Sequence, residues 1–314
     1  MEGKLMIGVE DRGSPELPSH QDLEREVPQP PADIFDNIKD VYNTRYILST
    51  DLPSDPAEFK KRMETTIAYF RKEKVKGVYI EVSMEQCAII GASKELGFSF
   101  HHAEGDFVTL QKWVPDSPSK LPYYATHYVG VGGLVIDWDA GKVLVIQERS
   151  GNDTFTWKVP GGLVDNGEYL SEAAEREVRE ETGILTTFKG VVAVREKKNY
   201  NFGRNDIYVV CLLEPNTKEI NIDEVEIAKC KWVDVDDWAQ HEFRVGIQEM
   251  ICKLAQDMVH TYKAKKAESN HLAHVWRSTQ VQVNLASFKG HHVAYIPGHM
   301  IKEEPKEPQE SKNN

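Results

Sequence analysis

Three acids in one short stretch have the spacing of a chemical site. Glu177, Glu180 and Glu181 stand at i, i+3 and i+4 within Gly162-Leu-Val-Asp-Asn-Gly-Glu168-Tyr-Leu-Ser-Glu-Ala-Ala-Glu-Arg176-Glu177-Val178-Arg-Glu180-Glu181-Thr-Gly183-Ile184. At roughly 100° per residue, a helix gathers the three carboxylates into an arc of about 100°. Like charges so placed repel and weaken an isolated helix, so something must offset them. A hard divalent cation bound through oxygen does this. Mg²⁺ typically takes a few carboxylates, waters and the phosphate oxygens of a substrate.

The competing reading is a solvated acidic face. Glu172 with Arg176, and Glu175 with Arg179, are acid-before-base pairs at i, i+4 that suit open solvent. Leu170, Ala174 and Val178 form an apolar stripe beside the carboxylate arc. A stripe in that place sets the acids at the edge of a buried cleft.

The wider context decides between the two. The segment follows the Nudix box position by position: Gly, five residues, Glu, seven residues, Arg-Glu, an aliphatic, any residue, Glu-Glu, any residue, Gly, an aliphatic. Gly162, Glu168, Arg176, Glu177, Val178, Glu180, Glu181, Gly183 and Ile184 fill every fixed place. The chain thus resembles a Nudix hydrolase. The resemblance implies a Nudix α/β/α sandwich with a mixed sheet, hydrolysing a nucleoside diphosphate linked to another moiety. It implies Glu177, Glu180 and Glu181 as ligands of Mg²⁺ or Mn²⁺, with Glu168 an additional ligand or the partner of Arg176. Arg176 would orient the carboxylates, and Glu181 is the first candidate for the proton-accepting base, with Glu226 outside the box as the other. Gly162 and Gly183 would supply backbone freedom.

Flanking residues extend the match. Val143-Leu-Val-Ile-Gln-Glu-Arg149 and Trp157-Lys-Val-Pro-Gly-Gly162 resemble the usual lead into the box. Arg149 as a phosphate contact, Trp157 as a stacking surface and Gly162 in the loop make up the candidate nucleotide-binding set. A surface role for Arg149 and core packing for Trp157 stay open. Pro160-Gly161 reads as a turn that aims the loop.

A long helix at Tyr169–Thr182, stopped by Gly183, must carry the acids. Strands are expected at Val129–Asp137 and Lys142–Glu148, joined around Asp139-Ala140-Gly141, and at Phe188–Lys197, Asp206–Leu213 and Ala228–Val233. Phe243–Lys266 reads as a closing helix. Ahead of this unit, Asp55-Pro56 opens a helix bearing Phe59, Met63, Ile67 and Phe70. A strand at Gly77–Val82, a helix at Met84–Leu96 and strands at Phe98–Ala103 and Phe107–Val114 follow. The predicted layout is a disordered leader over 1–34, a small α/β domain over 35–114, the catalytic domain over 123–268 and an irregular or disordered tail over 269–314.

The small domain has its own likeness. Lys76-Gly-Val-Tyr-Ile and Glu95-Leu-Gly-Phe-Ser-Phe-His101-His102-Ala-Glu104 resemble the front domain of a eukaryotic Nudix subgroup. That subgroup includes the vertebrate fibroblast-growth-factor antisense Nudix protein and plant ADP-ribose/NADH pyrophosphatases. Its front domain is acetyltransferase-like, but a coenzyme A pyrophosphate loop is missing here, which points to a homodimerisation or lid role. His101 and His102, as neighbours on a strand, should point to opposite faces, one packed and one exposed.

Composition bounds the rest. The 314 residues carry 50 acids against 38 bases, a net charge of −12. That argues against salt-driven nucleic-acid binding, which needs a basic face. No apolar run reaches a membrane span. The acidic start is unlike a secretory or mitochondrial leader. Cytoplasmic residence is the default expectation, with nucleus and mitochondrion open. Cys87, Cys211, Cys230 and Cys252 lie far apart, as reduced buried thiols would. The subgroup likeness favours ADP-ribose or NADH as substrate, although no Pro lies between Pro160 and Pro215 where ADP-ribose hydrolases often carry one. Tyr200 stands where diadenosine-polyphosphate hydrolases often have a Tyr. Hydrolysis of those compounds or of coenzyme A, and a nucleotide-binding regulator, remain the alternatives.

Overall fold

A computed structural model describes residues 33–149, 156–240, 247–268, 278–283 and 292–297. The expected leader up to residue 32 and the charged tail Lys302–Asn314 lie outside the described residues. The chain divides near residue 125 into two units.

The front unit starts with two short strands, β1 (Ile38–Lys39) and β2 (Thr44–Ile47). Neither was expected, because two and four residues are too few to show an alternating pattern. Helix α1 (Pro56–Lys72) opens where the sequence places it. Pro56 fits the first turn, and the Asp55 carboxylate accepts from Glu58 N at 2.7 Å. Then come β3 (Gly77–Ser83), α2 (Ile89–Glu95), β4 (Ser99–Glu104) and β5 (Phe107–Trp113). The strands form one sheet in the order β1-β2-β3-β5-β4, with β2 and β3 parallel. Phe59, Met63 and Phe70 of α1 pack on Val78, Ile80 and Val82 of β3.

One expectation fails in β4. The register against β5 slips between Phe100 and His102, so His101 is an extra residue in the ladder. The slip breaks the two-residue alternation. Both imidazoles lie on one side, half-buried, with their Nδ1 atoms 2.8 Å apart.

The second unit is built on β6 (His127–Asp137), β7 (Lys142–Glu148), β8 (Thr186–Asn201), β9 (Arg204–Pro215) and β10 (Ile227–Asp234). Its sheet order is β10-β7-β6-β9-β8, and it is mixed because β6 runs parallel to β9. Helix α3 (Leu170–Thr182) covers one face, burying Ala173, Ala174 and Val178 against Val131, Val135, Val209 and Leu213. The other face takes α4 (Val235–Gln240) and α5 (Ile247–Glu268), through Trp238, Ile251, Ala255 and Met258. The result is the expected α/β/α sandwich. The expected closing helix Phe243–Lys266 is α5 over its described part and is preceded by the short, unexpected α4; residues 241–246 lie outside the described residues. Within the stretch expected to be irregular, β11 (Ser278–Val283) and β12 (His292–Pro297) pair antiparallel.

Among the described residues, no helix is long and apolar enough to cross a membrane. No disulfide joins the four cysteines, and Cys87 departs from the expectation by being exposed.

Candidate active site

The loop before α3 is held against the sheet by backbone bonds. Val131 N donates to Gly162 O at 2.9 Å and Gly133 N to Pro160 O at 2.8 Å. At Gly161, φ is +152°, and a Cβ there would land on the Val131 carbonyl oxygen, so no side chain fits. Gly162 is excluded from having one for a different reason. Its Cβ would stand 2.5 Å from Glu177 Oε1. The expectation of backbone freedom therefore gives way at Gly162 to close approach of a site carboxylate. At the far end of α3, Gly183 takes φ +72° and its N–H donates to Arg179 O at 2.9 Å, the left-handed stop that glycine permits.

Arg176 organises the acids. Its Nε and Nη2 donate to the two oxygens of Glu168 at 2.8 and 2.9 Å. Nη1 donates to Glu177 Oε1 at 2.9 Å and Glu180 Oε2 at 3.1 Å, and Nη2 also reaches Leu163 O at 3.0 Å. A guanidinium has five N–H donors, and all five are used. Glu168 is thus the bidentate partner of Arg176, which holds its carboxyl below the usual carboxylate range. The pairs expected on the solvent side do not form. Glu172 accepts from Tyr169 N at 2.9 Å at the helix start, and Glu175 accepts from Phe188 N at 2.6 Å.

The three arc acids differ sharply in environment. The Glu180 side chain is 53% exposed, whereas Glu181 is 6% exposed. Burial pushes Glu181 up to about 8, against the pull of the Lys158 ammonium and of Gly161 N, which donates to its Oε2 at 2.8 Å. Burial also raises Glu177, with Arg176 acting against it. Lys158 pairs with Glu148, so a second ion pair faces Glu181 across the sheet end. Lys158 and Glu148 escaped the sequence reading because their pairing depends on the bridge between Ile146 and Lys158.

The remaining candidates scatter around this centre. Trp157 is half-buried, with Lys231 Nζ 4.2 Å from its ring centroid. It lines a cavity of about 550 Å³ with Asn221, Lys229, Cys230 and Lys231. Glu181 acts electrostatically on Cys230, and none of the box acids lines the cavity. Arg149 is exposed at the end of β7, its N–H bonded to Glu226 O at 2.8 Å and its Nη2 reaching Ile227 O at 3.4 Å. The Glu226 side chain is exposed.

Comparison with known proteins gives the family. Residues 126–254 match the family model described as the NUDIX domain, and residues 35–114 match one described as the Nudix hydrolase domain. The Xenopus laevis protein called nucleoside diphosphate-linked moiety X motif 6 is 44% identical over 171 residues, covering 54% of this chain and 78% of that protein. The chain belongs to the Nudix family. The human protein of the same name is 38% identical over 202 residues, 64% of either Nudix chain. The alignment thus spans slightly under two thirds of the human relative's length. Nudix hydrolase 8 of Arabidopsis thaliana is 35% identical over 210 residues, 66% of this chain and 57% of that one.

Proposed function

We propose that this Nudix protein hydrolyses the pyrophosphate bond of a nucleoside diphosphate linked to another moiety, with ADP-ribose and NADH as its first substrates. The observation that carries the reading is Glu181, a buried carboxylate in the last turn of α3, tied through one oxygen to the loop N–H of Gly161 as a positioned base requires.

The donor set fits Mg²⁺ or Mn²⁺. Glu177, Glu180 and Glu181 offer only oxygen, the preference of hard cations. Two of them are raised by burial, a sign of carboxylates short of positive charge. Among the described residues, no three acids converge on one point as a preformed ion site. Arg176 Nη1 instead bridges Glu177 and Glu180. Those three acids would hold the ion, with Arg176 yielding part of its hydrogen bonding to Glu177 and Glu180. A bound divalent cation supplies charge neutralisation for the diphosphate and a more acidic water.

The chain's own residues do the rest. Gly161 N fixes Glu181 Oε2, which leaves Oε1 to take a proton. Glu168 anchors Arg176, and Arg176 sets the Glu177 and Glu180 side chains. Trp157 and Lys231 give the 550 Å³ cavity an aromatic face and a cation for the nucleotide end of the substrate, and Arg149 is the outer phosphate contact.

The deciding experiment is phosphatase-coupled turnover on ADP-ribose, NADH, FAD, coenzyme A, diadenosine polyphosphates and nucleotide sugars with Mg²⁺ or Mn²⁺. A preference for ADP-ribose or NADH, lost in the Glu180→Gln, Glu181→Gln double variant, is the expected result. Nucleotide binding without turnover of any substrate would move the protein to a regulatory role.

A further inference from the structure

The front unit holds a second cavity, of about 780 Å³, within the range of small-molecule sites. Its origin is the one-sided packing of the sheet. Strand β3 sends Val78, Ile80 and Val82 to the helices and turns Tyr79 and Glu81 the other way. Tyr46 of β2 stacks on Tyr79 with centroids 5.1 Å apart and an interplanar angle of 9°. The bulge in β4 adds both imidazoles to this same wall. His101 meets Tyr79 edge-on at 5.2 Å, and His102 stacks on Tyr124 at 4.2 Å and 5°.

The charge of the wall is one-sided. Glu81 and Glu104 line it, and no Lys or Arg does among the described residues. His101 is held below its ordinary range by burial and by His102, so it adds no positive charge at neutral pH. Aromatic faces and carboxylates repel a phosphate or carboxylate and attract a cation with N–H or N–CH₃ groups.

We propose that this cavity binds an organic ammonium ion carrying an apolar body, held between the tyrosine and histidine rings and faced by Glu81. The site is separate from the hydrolytic one and does not depend on that activity.

The test uses the full chain with three phenyl-bearing probes of different charge: benzyltrimethylammonium, benzyl alcohol and benzoate. Calorimetry should show the ammonium binding at least tenfold more tightly than either other probe. The His101 and His102 ring proton resonances should shift with the ammonium alone. Glu81→Gln should weaken the ammonium at least fivefold and leave benzyl alcohol unchanged. Tyr124→Leu, which keeps bulk and removes the π face, should also weaken the ammonium, with thermal melts confirming that both variants fold. Equal binding of benzoate or benzyl alcohol, no ammonium binding at millimolar concentration, or ammonium binding indifferent to both substitutions would each overturn the proposal.

Discussion

Glu181 Oε2 accepts a hydrogen bond of 2.8 Å from the backbone N–H of Gly161, 20 residues earlier in the chain. This single contact joins the last turn of α3 to the loop pinned on β6. It fixes one oxygen of a carboxylate that would otherwise have two equivalent ones, and it ties the position of the proposed base to the sheet.

Replacement of that base should separate activity from stability. Glu181→Gln is expected to lower kcat by about 10²- to 10⁴-fold, the usual worth of a positioned base. Its melting temperature should stay equal or rise, because an amide is easier to bury than a carboxylate short of positive charge. Steady-state kinetics and thermal melts check both. Retention of most of the wild-type kcat would remove Glu181 from the base role.

The same burial gives the ion-free protein a pH dependence of definite sign. Glu181 starts from an ordinary value of 4.5 and is raised to about 8 when folded, and Glu177 is raised as well. Between those limits the folded state keeps protons that the unfolded chain has released, so stability falls as pH rises through the window. Chelator-treated protein should lose on the order of 4 kcal/mol between about pH 5 and pH 8.5. Added Mg²⁺ should restore stability at the alkaline end more than at the acid end. Denaturant midpoints across that range, with Glu181→Gln as the flatter reference, provide the check.

Adjacent glycines should respond differently to one added methyl group. In Gly161→Ala the new Cβ meets the Val131 carbonyl, which the sheet cannot move, and a loss of about 2–4 kcal/mol is expected. In Gly162→Ala it meets the Glu177 carboxylate, the end of a side chain that can swing aside. Stability should change by less than about 1 kcal/mol there, while activity falls because a proposed ion ligand has been displaced. Similar stability losses in both variants would contradict this distinction.

Arg176→Lys should not behave as a conservative change. An ammonium has three donors and no planar fork, so it cannot serve Glu168, Glu177, Glu180 and Leu163 O together. Activity at fixed Mg²⁺ should fall about 10- to 100-fold, as for other residues that orient ligands. The Mg²⁺ concentration for half-maximal rate should shift as well. An unchanged Mg²⁺ dependence would show that Arg176 does not set the acids.

Much of this was legible in the sequence, and the failures have physical causes. The acid arc and the Leu170, Ala174, Val178 stripe both follow from the 3.6-residue period, so α3 and its orientation were readable. Hairpin β6–β7 was marked by alternation and by Gly141, which takes φ +68°. Periodicity alone could not say which side of the helix Arg176 chooses, since Glu172 and Glu180 lie four residues to either side of it; the family resemblance offered Glu168 as a partner, and the fold brings that carboxylate within reach. The Lys158–Glu148 pair also needs the folded sheet. The histidines of β4 misled because period-two reasoning holds only while the ladder stays in register.

All five donors of Arg176 are committed within the box, and two of them reach Glu177 and Glu180. The protein therefore carries its own first cation on the helix proposed to hold a metal. An incoming divalent ion would meet a tenant. Its affinity would then be an exchange constant between two cations, and it would include whatever Arg176 gains elsewhere on letting go. Anything that offers the guanidinium a new partner, above all a phosphate of the arriving substrate, would tighten the metal in the same step. Metal and substrate would then assist one another's binding through a single side chain.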